Sequence, residues 1–308
     1  MLMNRSDVVD RILFISLSCL GDAIMTTPAL ESLHRKYPEA RIDIVSDRRS
    51  HLWYTHCPYR GEIFIKDKHR FMRGVPDLLR QLRNQRYDLI VDLRTDGLAW
   101  LLRGSRRLTK WTARPYGDHA VEQLMGVIPS LHGNAPIPPA RMWLTKEDEA
   151  FAGQRLSVLP PGPWLALAPA VGGKPERRWP TRNYVELTAR LGDLFSAVIL
   201  TGGPGERRIT NEVAAGLSVP TLDVTDTSLL QVAAIISRAK LFVGSDSGLS
   251  HVAAAAGTPC LSLFSLDRPE RVLPWGRNTV AVQGMNHDAR NIPVAEVEAL
   301  ARRMISGI

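Results

Sequence analysis

Short apolar runs alternate with amphipathic segments along most of this 308-residue chain, and the alternation restarts halfway. Runs of aliphatic residues such as those at 11–16 and 164–168 predict buried strands, and a predicted helix follows each strand. Strands that alternate with helices are typical of parallel sheets covered on both faces. The pattern therefore predicts an α/β protein built from two doubly wound, Rossmann-like halves.

A stretch rich in proline and glycine separates the two halves. It begins at residues 129–139, and Leu-Pro-Pro-Gly-Pro at 159–163 is a strong break after a predicted helix over 146–156. We place the boundary at the end of that helix, which gives an N-terminal domain of residues 1–155 and a C-terminal domain of residues 156–308. Ligands of doubly wound sheets bind beyond the carboxyl ends of the strands, so the loops that follow strands are the places to look for a site.

The composition indicates a cytoplasmic protein. No apolar run reaches the ~20 residues of a membrane span, and the N-terminus lacks the pattern of a signal peptide. The three cysteines, Cys19, Cys57 and Cys260, have neither disulfide-framework nor metal-ligand spacing. We therefore expect a reducing compartment, no bound metal and no cofactor.

The net charge of +8 is concentrated in one segment. Residues 66–114 carry thirteen lysines and arginines against five aspartates. This segment forms either solvated helix faces or a surface for an anionic partner, such as an acidic glycolipid, membrane headgroups or nucleic acid. Nucleic acid fits least well, because few aromatic residues lie among the arginines and no nucleic-acid-binding motif is present.

A strand, a tight turn and a helix of small residues lie together near residue 245. The strand over 241–243 runs into Gly-Ser-Asp-Ser-Gly, and a helix is predicted from about Val252. Such a turn collects unpaired backbone N–H groups at the positive end of a helix, which favours an anion such as phosphate. Asp246 would repel phosphate, so it suits a ribose or sugar hydroxyl or a backbone N–H of the turn. His251, one turn into the helix, either contacts phosphate or has a structural role.

The loop after the first strand of the chain ends in Gly21-Asp22, at the start of a helix predicted from about Asp22 to Tyr37. Asp22 has two interpretations at this position. It is either a helix N-cap, which is common for aspartate, or a general base that takes a proton from a hydroxyl group.

Two further loops follow strands in the second half. The first carries a glycine pair with Lys174 and Arg177 beyond it, which suits a diphosphate, although an exposed basic loop has the same composition. The next carries Gly202-Gly203, which lets the backbone approach a ligand closely, and Glu206, whose carboxylate could accept a hydrogen bond from a ribose.

Several of these residues belong to motifs that follow one another along the chain: Gly21-Asp22 with Thr26-Thr27-Pro28, Arg177-Arg178-Trp179-Pro180, Gly202-Gly203 and Gly244-Ser-Asp-Ser-Gly-Leu-Ser-His251. In this order they resemble glycosyltransferase family 9, whose best-known members are the ADP-heptose:lipopolysaccharide heptosyltransferases. The resemblance implies the GT-B fold, in which two Rossmann-like domains face each other across a cleft. The first domain would hold the acceptor and the second the nucleotide-sugar.

The resemblance also implies roles for individual residues. Asp22 matches the family's proposed base, and Arg177 matches its phosphate contact, with Lys174 as an alternative. The implied donor-binding set is Lys174, Arg177, Gly202, Gly203, Glu206, Asp246, Ser247, Gly248 and His251. The implied acceptor-binding set is Thr26, Thr27, Arg103, Arg106 and Arg107. Family members often carry Gly-Pro-Thr after the next strand, where this chain has Ser265-Leu266-Asp267.

The implied reaction is an inverting, metal-independent transfer of heptose from ADP-L-glycero-D-manno-heptose. The acceptor would be the anionic lipopolysaccharide inner core, whose Kdo carboxylates and phosphates suit the basic segment, in peripheral contact with the inner membrane. The alternatives are transfer of another NDP-sugar to a protein or natural product, hydrolysis or epimerisation of UDP-GlcNAc, and sugar-nucleotide binding without catalysis.

Overall fold

The computed structural model describes residues 9–66, 74–94, 97–114, 116–129, 135–171 and 175–306. The chain divides into two compact units, Met1–Trp143 and Leu144–Ile308. Each unit is built around its own parallel sheet. In the described parts of the chain, no helix is both long enough and apolar enough to cross a membrane.

The first unit contains a five-stranded sheet in the order β3-β2-β1-β4-β5, with every neighbouring pair parallel. Its strands are β1 (Arg11–Ile15), β2 (Arg41–Asp47), β3 (Arg60–Lys66), β4 (Tyr87–Asp92) and β5 (Gly104–Thr109). Its helices are α1 (Leu20–Met25), α2 (Thr27–Lys36), α3 (Gly74–Arg83) and α4 (Ala120–Met125). The core side chains of β1 and β4, among them Leu13, Ile15 and Ile90, are fully buried, as a central strand of a doubly wound sheet requires.

Two features of this unit differ from the sequence prediction. The helix predicted over 22–37 is divided at Thr26, where α1 ends and α2 begins with Pro28 in its first turn. The strand β5 is absent from the prediction because its sequence, Gly-Ser-Arg-Arg-Leu-Thr, lacks an apolar run. It forms nevertheless as the edge strand beside β4, where only one neighbour must be satisfied and polar side chains reach solvent.

The second unit contains a six-stranded parallel sheet in the order β11-β10-β9-β6-β7-β8. Its strands are β6 (Trp164–Ala168), β7 (Ala197–Leu200), β8 (Thr221–Asp223), β9 (Leu241–Ser245), β10 (Cys260–Phe264) and β11 (Thr279–Gln283). Its helices are α5 (Lys146–Leu156), α6 (Thr181–Arg190), α7 (Arg207–Ala214), α8 (Leu229–Ile236), α9 (Gly248–Ala255), α10 (Pro269–Val272) and α11 (Val294–Ser306). This strand order is that of a Rossmann fold, which confirms the predicted fold class.

The division between the units lies before α5, whereas the sequence prediction places it after residue 155. Helix α5 packs against α8, and Arg155 donates to the Asp223 carbonyl oxygen and pairs with Asp226 at 3.3 Å. These contacts attach α5 to the second unit. The proline-rich segment at 159–163 is therefore a turn between α5 and β6, and the change of unit occurs upstream of it.

Candidate functional site

The loops selected from the sequence lie where the strand order of each sheet reverses. In the first unit the reversal falls between β1 and β4, and Asp22 follows β1. In the second it falls between β6 and β9, whose following loops carry Arg177 and the segment from Asp246 to His251. Ligands of open α/β sheets bind at such switch points, beyond the carboxyl ends of the strands. Each unit therefore presents its strongest candidate residues where its fold favours a ligand.

Asp22 is not the N-cap of its helix. It lies in the first turn of α1, whose N-cap residue is Cys19, and no side chain caps this helix end. Among the described residues, neither a side chain nor a backbone amide hydrogen-bonds the Asp22 carboxylate. The carboxylate has no capping role, which leaves it available for chemistry.

Burial raises the pKa of Asp22 above its ordinary value, although Lys110 and then Arg49 act against this by stabilising the charged form. A carboxylate whose pKa is raised toward neutrality is a stronger base than a fully solvated one, and such shifts are typical of catalytic groups. Asp22 therefore combines partial burial with two nearby cations that favour its charged form.

Two cations that act on Asp22, Arg49 and Lys110, are not among the site residues predicted from the sequence. Arg49 follows β2, where it pairs with Asp47 at 3.2 Å, and Lys110 follows β5. Asp22, Arg49 and Lys110 thus all lie just past the carboxyl ends of strands in one parallel sheet. Their shared position after strands of one sheet is the sequence signal that could have placed Arg49 and Lys110 near Asp22.

Thr26 and Thr27 have structural roles. Both are completely buried. The Thr26 hydroxyl donates to the Ala23 carbonyl at 2.7 Å and also bonds Tyr54, while the Thr27 hydroxyl donates to Ile24 and accepts from the Arg141 amide. Because neither hydroxyl faces solvent, we remove both threonines from the acceptor-binding set. They instead hold the break between α1 and α2.

The turn near residue 245 has the geometry of an anion site, with a longer helix than predicted. Helix α9 begins at Gly248 rather than near Val252, and Ser247 is its N-cap residue. The Ser247 hydroxyl oxygen is buried and finds no hydrogen-bond partner among the residues that the structure describes. A buried, unsatisfied hydroxyl beside the free amides of a helix N-terminus indicates that a ligand completes its hydrogen bonding.

Other residues of the motif support this turn. Gly244 belongs to β9, where a Cβ atom would lie 2.8 Å from the Cβ of Ala168 on the neighbouring strand. Asp246 is half-buried directly after the strand, and His251 is buried in the first turn of α9. Ser250 donates to the Ser245 carbonyl at 3.0 Å, which ties the start of the helix to the end of the strand.

Arg177 forms an ion pair with Asp267. Arg177 follows β6 and Asp267 follows β10, and β9 lies between these two strands in the sheet. The pair therefore spans the end of β9, from which Asp246 and Ser247 emerge. Lys174 and the glycines before it lie outside the described residues. Next to Arg177, Trp179 is buried and donates to the Ile292 carbonyl at 2.9 Å, which anchors the segment before α6.

Glu206 closes the loop after β7 on itself. Its Oε2 atom accepts a hydrogen bond from the Gly203 amide at 2.7 Å. A Cβ atom added to Gly202 would lie 3.1 Å from the same oxygen, so this position has little room for a side chain. A nearby carboxylate that the sequence reasoning missed is Asp223. Although burial opposes ionisation, hydrogen bonds from Thr210 and Thr225 hold the pKa of Asp223 below its ordinary value. Asp223 thus fixes the neighbouring loop after β8.

The three arginines predicted to bind an acceptor differ in their surroundings. Arg103 and Arg106 are exposed. Arg107 donates to the backbone carbonyls of Ala99, Leu102 and Gly104 at 2.7–3.0 Å, so it holds the segment before β5 together. We therefore remove Arg107 from the acceptor-binding set. A cavity of about 290 Å³ lies beside it, lined by Arg107, Leu108, Thr112, Arg114, Val127 and Pro129.

The cysteines and metal-binding side chains are dispersed. Cys57 and Cys260 are buried, Cys19 is exposed, and all three are free thiols. In the ranges that the structure describes, no three side chains from His, Cys, Asp and Glu are grouped to hold a metal ion.

Comparison with known proteins agrees with this geometry. The model of glycosyltransferase family 9 (heptosyltransferase) matches residues 95–296. The lipopolysaccharide heptosyltransferase 3 of Escherichia coli is 25% identical over 311 residues, covering 90% of this chain and 89% of that protein. The lipopolysaccharide heptosyltransferase 1 of Pseudomonas aeruginosa is 27% identical over 304 residues, covering 88% and 82%.

Solved structures show the same fold. A family 9 glycosyl transferase from Veillonella parvula superposes with a TM-score of 0.86 at 21% identity, covering 97% of this chain and 98% of that one. The E. coli heptosyltransferase WaaC, solved with ADP, gives a TM-score of 0.77 at 21% identity, covering 96% and 99%. The family match spans well over half of the chain, and the chain therefore belongs to glycosyltransferase family 9, the heptosyltransferases.

Proposed function

We propose that this glycosyltransferase moves a heptose from ADP-L-glycero-D-manno-heptose to the anionic inner core of lipopolysaccharide, with inversion at the anomeric carbon. The observation that carries the proposal is the position of Asp22 and of the segment from Gly244 to His251, each at the switch point of its own sheet. The names of the relatives, lipopolysaccharide heptosyltransferases, support heptose as the transferred sugar and lipopolysaccharide as the acceptor. The similar heptosyltransferase WaaC, solved with ADP, supports ADP as the nucleotide.

The second unit supplies the donor side. The diphosphate binds at the start of α9, where it accepts hydrogen bonds from the Ser247 hydroxyl and the backbone amides at Gly248, and the Arg177 guanidinium adds a charge-assisted contact. Asp246 accepts from a sugar hydroxyl, which explains a carboxylate beside a phosphate site. Glu206 accepts a hydrogen bond from a ribose hydroxyl through its Oε1 atom, because its Oε2 atom already accepts one from the Gly203 amide. His251 and Lys174 remain in the donor-binding set.

The chemistry starts from the Asp22 carboxylate. It accepts the proton of an acceptor hydroxyl as that oxygen attacks the anomeric carbon, and the bond from this carbon to the β-phosphate oxygen breaks. ADP leaves with the bonding electron pair on the face opposite the attack, which inverts the configuration. Negative charge grows on the β-phosphate, where Arg177 and the α9 N-terminus stabilise it.

The first unit supplies the acceptor side. Arg103 and Arg106 are exposed on β5 and its approach, and Arg114 lines the 290 Å³ cavity beside Arg107. Guanidinium groups pair well with carboxylates and phosphates, the acidic groups of an inner core. The acceptor is a glycolipid, so the enzyme works at the cytoplasmic face of the membrane that holds it.

A change at Lys110 tests the role of Asp22 through pH. Replacing Lys110 with methionine removes a cation that lowers the pKa of Asp22, so that pKa rises. The base is then protonated at higher pH, and the acidic limb of the kcat/KM profile shifts to higher pH. Lys36→Met, at the exposed end of α2, is the matched control and leaves the limb in place. An unshifted limb in the Lys110 variant would contradict the assignment of Asp22 as the base.

The function itself is tested by donor consumption. The purified protein is incubated with a panel of nucleotide-sugars and a lipopolysaccharide acceptor truncated before its heptoses, and products are followed by mass spectrometry. We expect ADP-heptose to be consumed and the acceptor to gain the mass of one heptosyl group. Consumption of a different NDP-sugar, or modification of a protein or natural product instead, would replace the proposal by the corresponding alternative.

A further inference from the structure

Three large apolar side chains lie exposed together on the first unit. Trp100 is 51% exposed, Leu101 50% and Trp111 66%. Trp100 and Leu101 belong to the short 3₁₀ turn Leu98–Leu101 before β5, and Trp111 belongs to the turn Lys110–Thr112 after it. The two indole rings stack with their centroids 6.2 Å apart and an interplanar angle of 15°. We call this group the tryptophan patch.

Arg107 holds the tryptophan patch in place. The Arg107 guanidinium lies 5.7 Å from the centre of the Trp100 ring, and its three bonds to backbone carbonyls fix the turn that carries Trp100. Trp111 follows directly from the end of the edge strand β5. The backbone that carries the exposed rings is therefore held by hydrogen bonds and by the end of β5, so the exposure of the rings is a property of the fold.

The segment that carries the patch has charges of one sign. Residues 97–114 contain five basic residues and no acidic residue. Arg103, Arg106 and Lys110 of this segment are exposed. An exposed aromatic surface on a segment with only basic charges suits one kind of partner, because tryptophan rings prefer the headgroup level of a bilayer and each basic side chain near an anionic leaflet adds attraction.

We propose that the tryptophan patch docks the enzyme on a bilayer that contains anionic phospholipid, with both indoles in the headgroup region. Lys110 connects this surface to the site, because it stands next to Trp111 and also acts on the charge of Asp22. Docking through the patch holds the base close to the lipid surface. The inference rests on the proposed function only in the reason for docking, a glycolipid acceptor; the surface itself is argued from the first unit alone.

The test measures binding of the full chain to sedimented vesicles, without any substrate. Vesicles of phosphatidylcholine with phosphatidylglycerol are compared with vesicles of phosphatidylcholine alone. We expect binding to the anionic vesicles, weakened by raising the salt from ~0.1 to ~0.5 M, since screening reduces the contribution of the basic residues. We expect the Trp100→Ser, Trp111→Ser double variant to bind at least about tenfold more weakly than the unaltered chain.

Matched variants separate docking from folding and from general surface apolarity. Val158→Ser, Met285→Ser removes two side chains that are each 73% exposed elsewhere, and it binds anionic vesicles as the unaltered chain does. Trp111→Ser alone, which alters the more exposed ring, retains the thermal unfolding midpoint and still loses most of the binding. Equal binding by the unaltered chain and the tryptophan variants overturns the proposal, and so does an equal loss in the matched variant.

Activity on a water-soluble, acyl-free acceptor fragment distinguishes a bilayer from other partners. The double tryptophan variant transfers heptose to that fragment at the normal rate if the patch docks on lipid. Loss of this activity with vesicle binding intact means that the patch holds the acceptor sugars, which overturns the proposal. Vesicle binding needs no transfer, so a chain that binds vesicles through the patch but does not transfer heptose contradicts only the proposed function.

Discussion

Replacing Asp22 with asparagine lowers the rate of heptose transfer by ~10²-fold or more at saturating substrates, since removal of a general base costs that order of magnitude. The amide has nearly the same shape as the carboxylate but cannot accept the hydroxyl proton. The donor site that we propose lies in the second unit, so we expect the affinity for ADP to stay the same. Steady-state kinetics with the truncated acceptor and calorimetric titration of ADP measure the two quantities.

The same variant separates catalysis from folding. Burial raises the pKa of Asp22 in the folded chain; a carboxyl of this kind stabilises the fold below the unfolded-state pKa and loses that contribution as the pH rises through the folded-state pKa. Above the folded-state pKa the ionised Asp22 therefore opposes folding, and asparagine removes that cost. We expect an unfolding midpoint equal to or above that of the unaltered chain. Near-normal turnover in a folded Asp22→Asn variant would remove Asp22 from the mechanism.

The elements that the sequence predicted well are those with fully buried strands. The runs that became β1 and β6 are continuous and apolar because both faces of a parallel sheet are covered. Once those strands were located, the loops after them followed, and with them Asp22 and Arg177. The switch-point rule then needed only the order of strands and helices.

The elements that were not predicted from the sequence are those whose position depends on neighbouring parts of the fold. The strand β5 forms from an arginine-rich segment because β4 offers it an open edge. Thr26 and Thr27 look like surface residues in the sequence, yet their hydroxyls are buried against backbone carbonyls one turn earlier. The start of α9 was misplaced because glycine and serine have weak helix propensity, which says little about a helix end held by tertiary contacts.

The ion-pair partner of Arg177 could not be predicted from the sequence either. Asp267 lies 90 residues away in the sequence. Parallel pairing of β6, β9 and β10 brings the two loops to one edge of the sheet. The resulting ion pair gives Arg177, the residue that we propose contacts phosphate, an anionic partner.

Replacing Arg177 with alanine weakens ADP binding by about 10- to 100-fold, since a charge-assisted hydrogen bond is worth about 1.5–3 kcal/mol and 1.4 kcal/mol is tenfold in affinity. Calorimetric titration of the full chain measures the change. Arg190→Ala is the matched control, because Arg190 also pairs with a carboxylate, Glu186, on the surface of the same unit. It leaves the affinity for ADP unchanged. An unaltered affinity in the Arg177 variant would contradict its assignment to the phosphate.

Replacing Asp267, the other member of the ion pair, should change the ADP affinity in the opposite direction. Without a donor the Arg177 guanidinium is held by Asp267, and the diphosphate must compete with that carboxylate. Asp267→Asn removes the competitor and a negative charge near the phosphate site, so ADP binds more tightly, by up to about fivefold, the range of a partly exposed ion pair. In the Arg177→Ala background the same change leaves only the loss of repulsion, so the gain is smaller. A weaker ADP affinity in the Asp267→Asn single variant would mean that Asp267 positions Arg177 for the phosphate instead of competing with it.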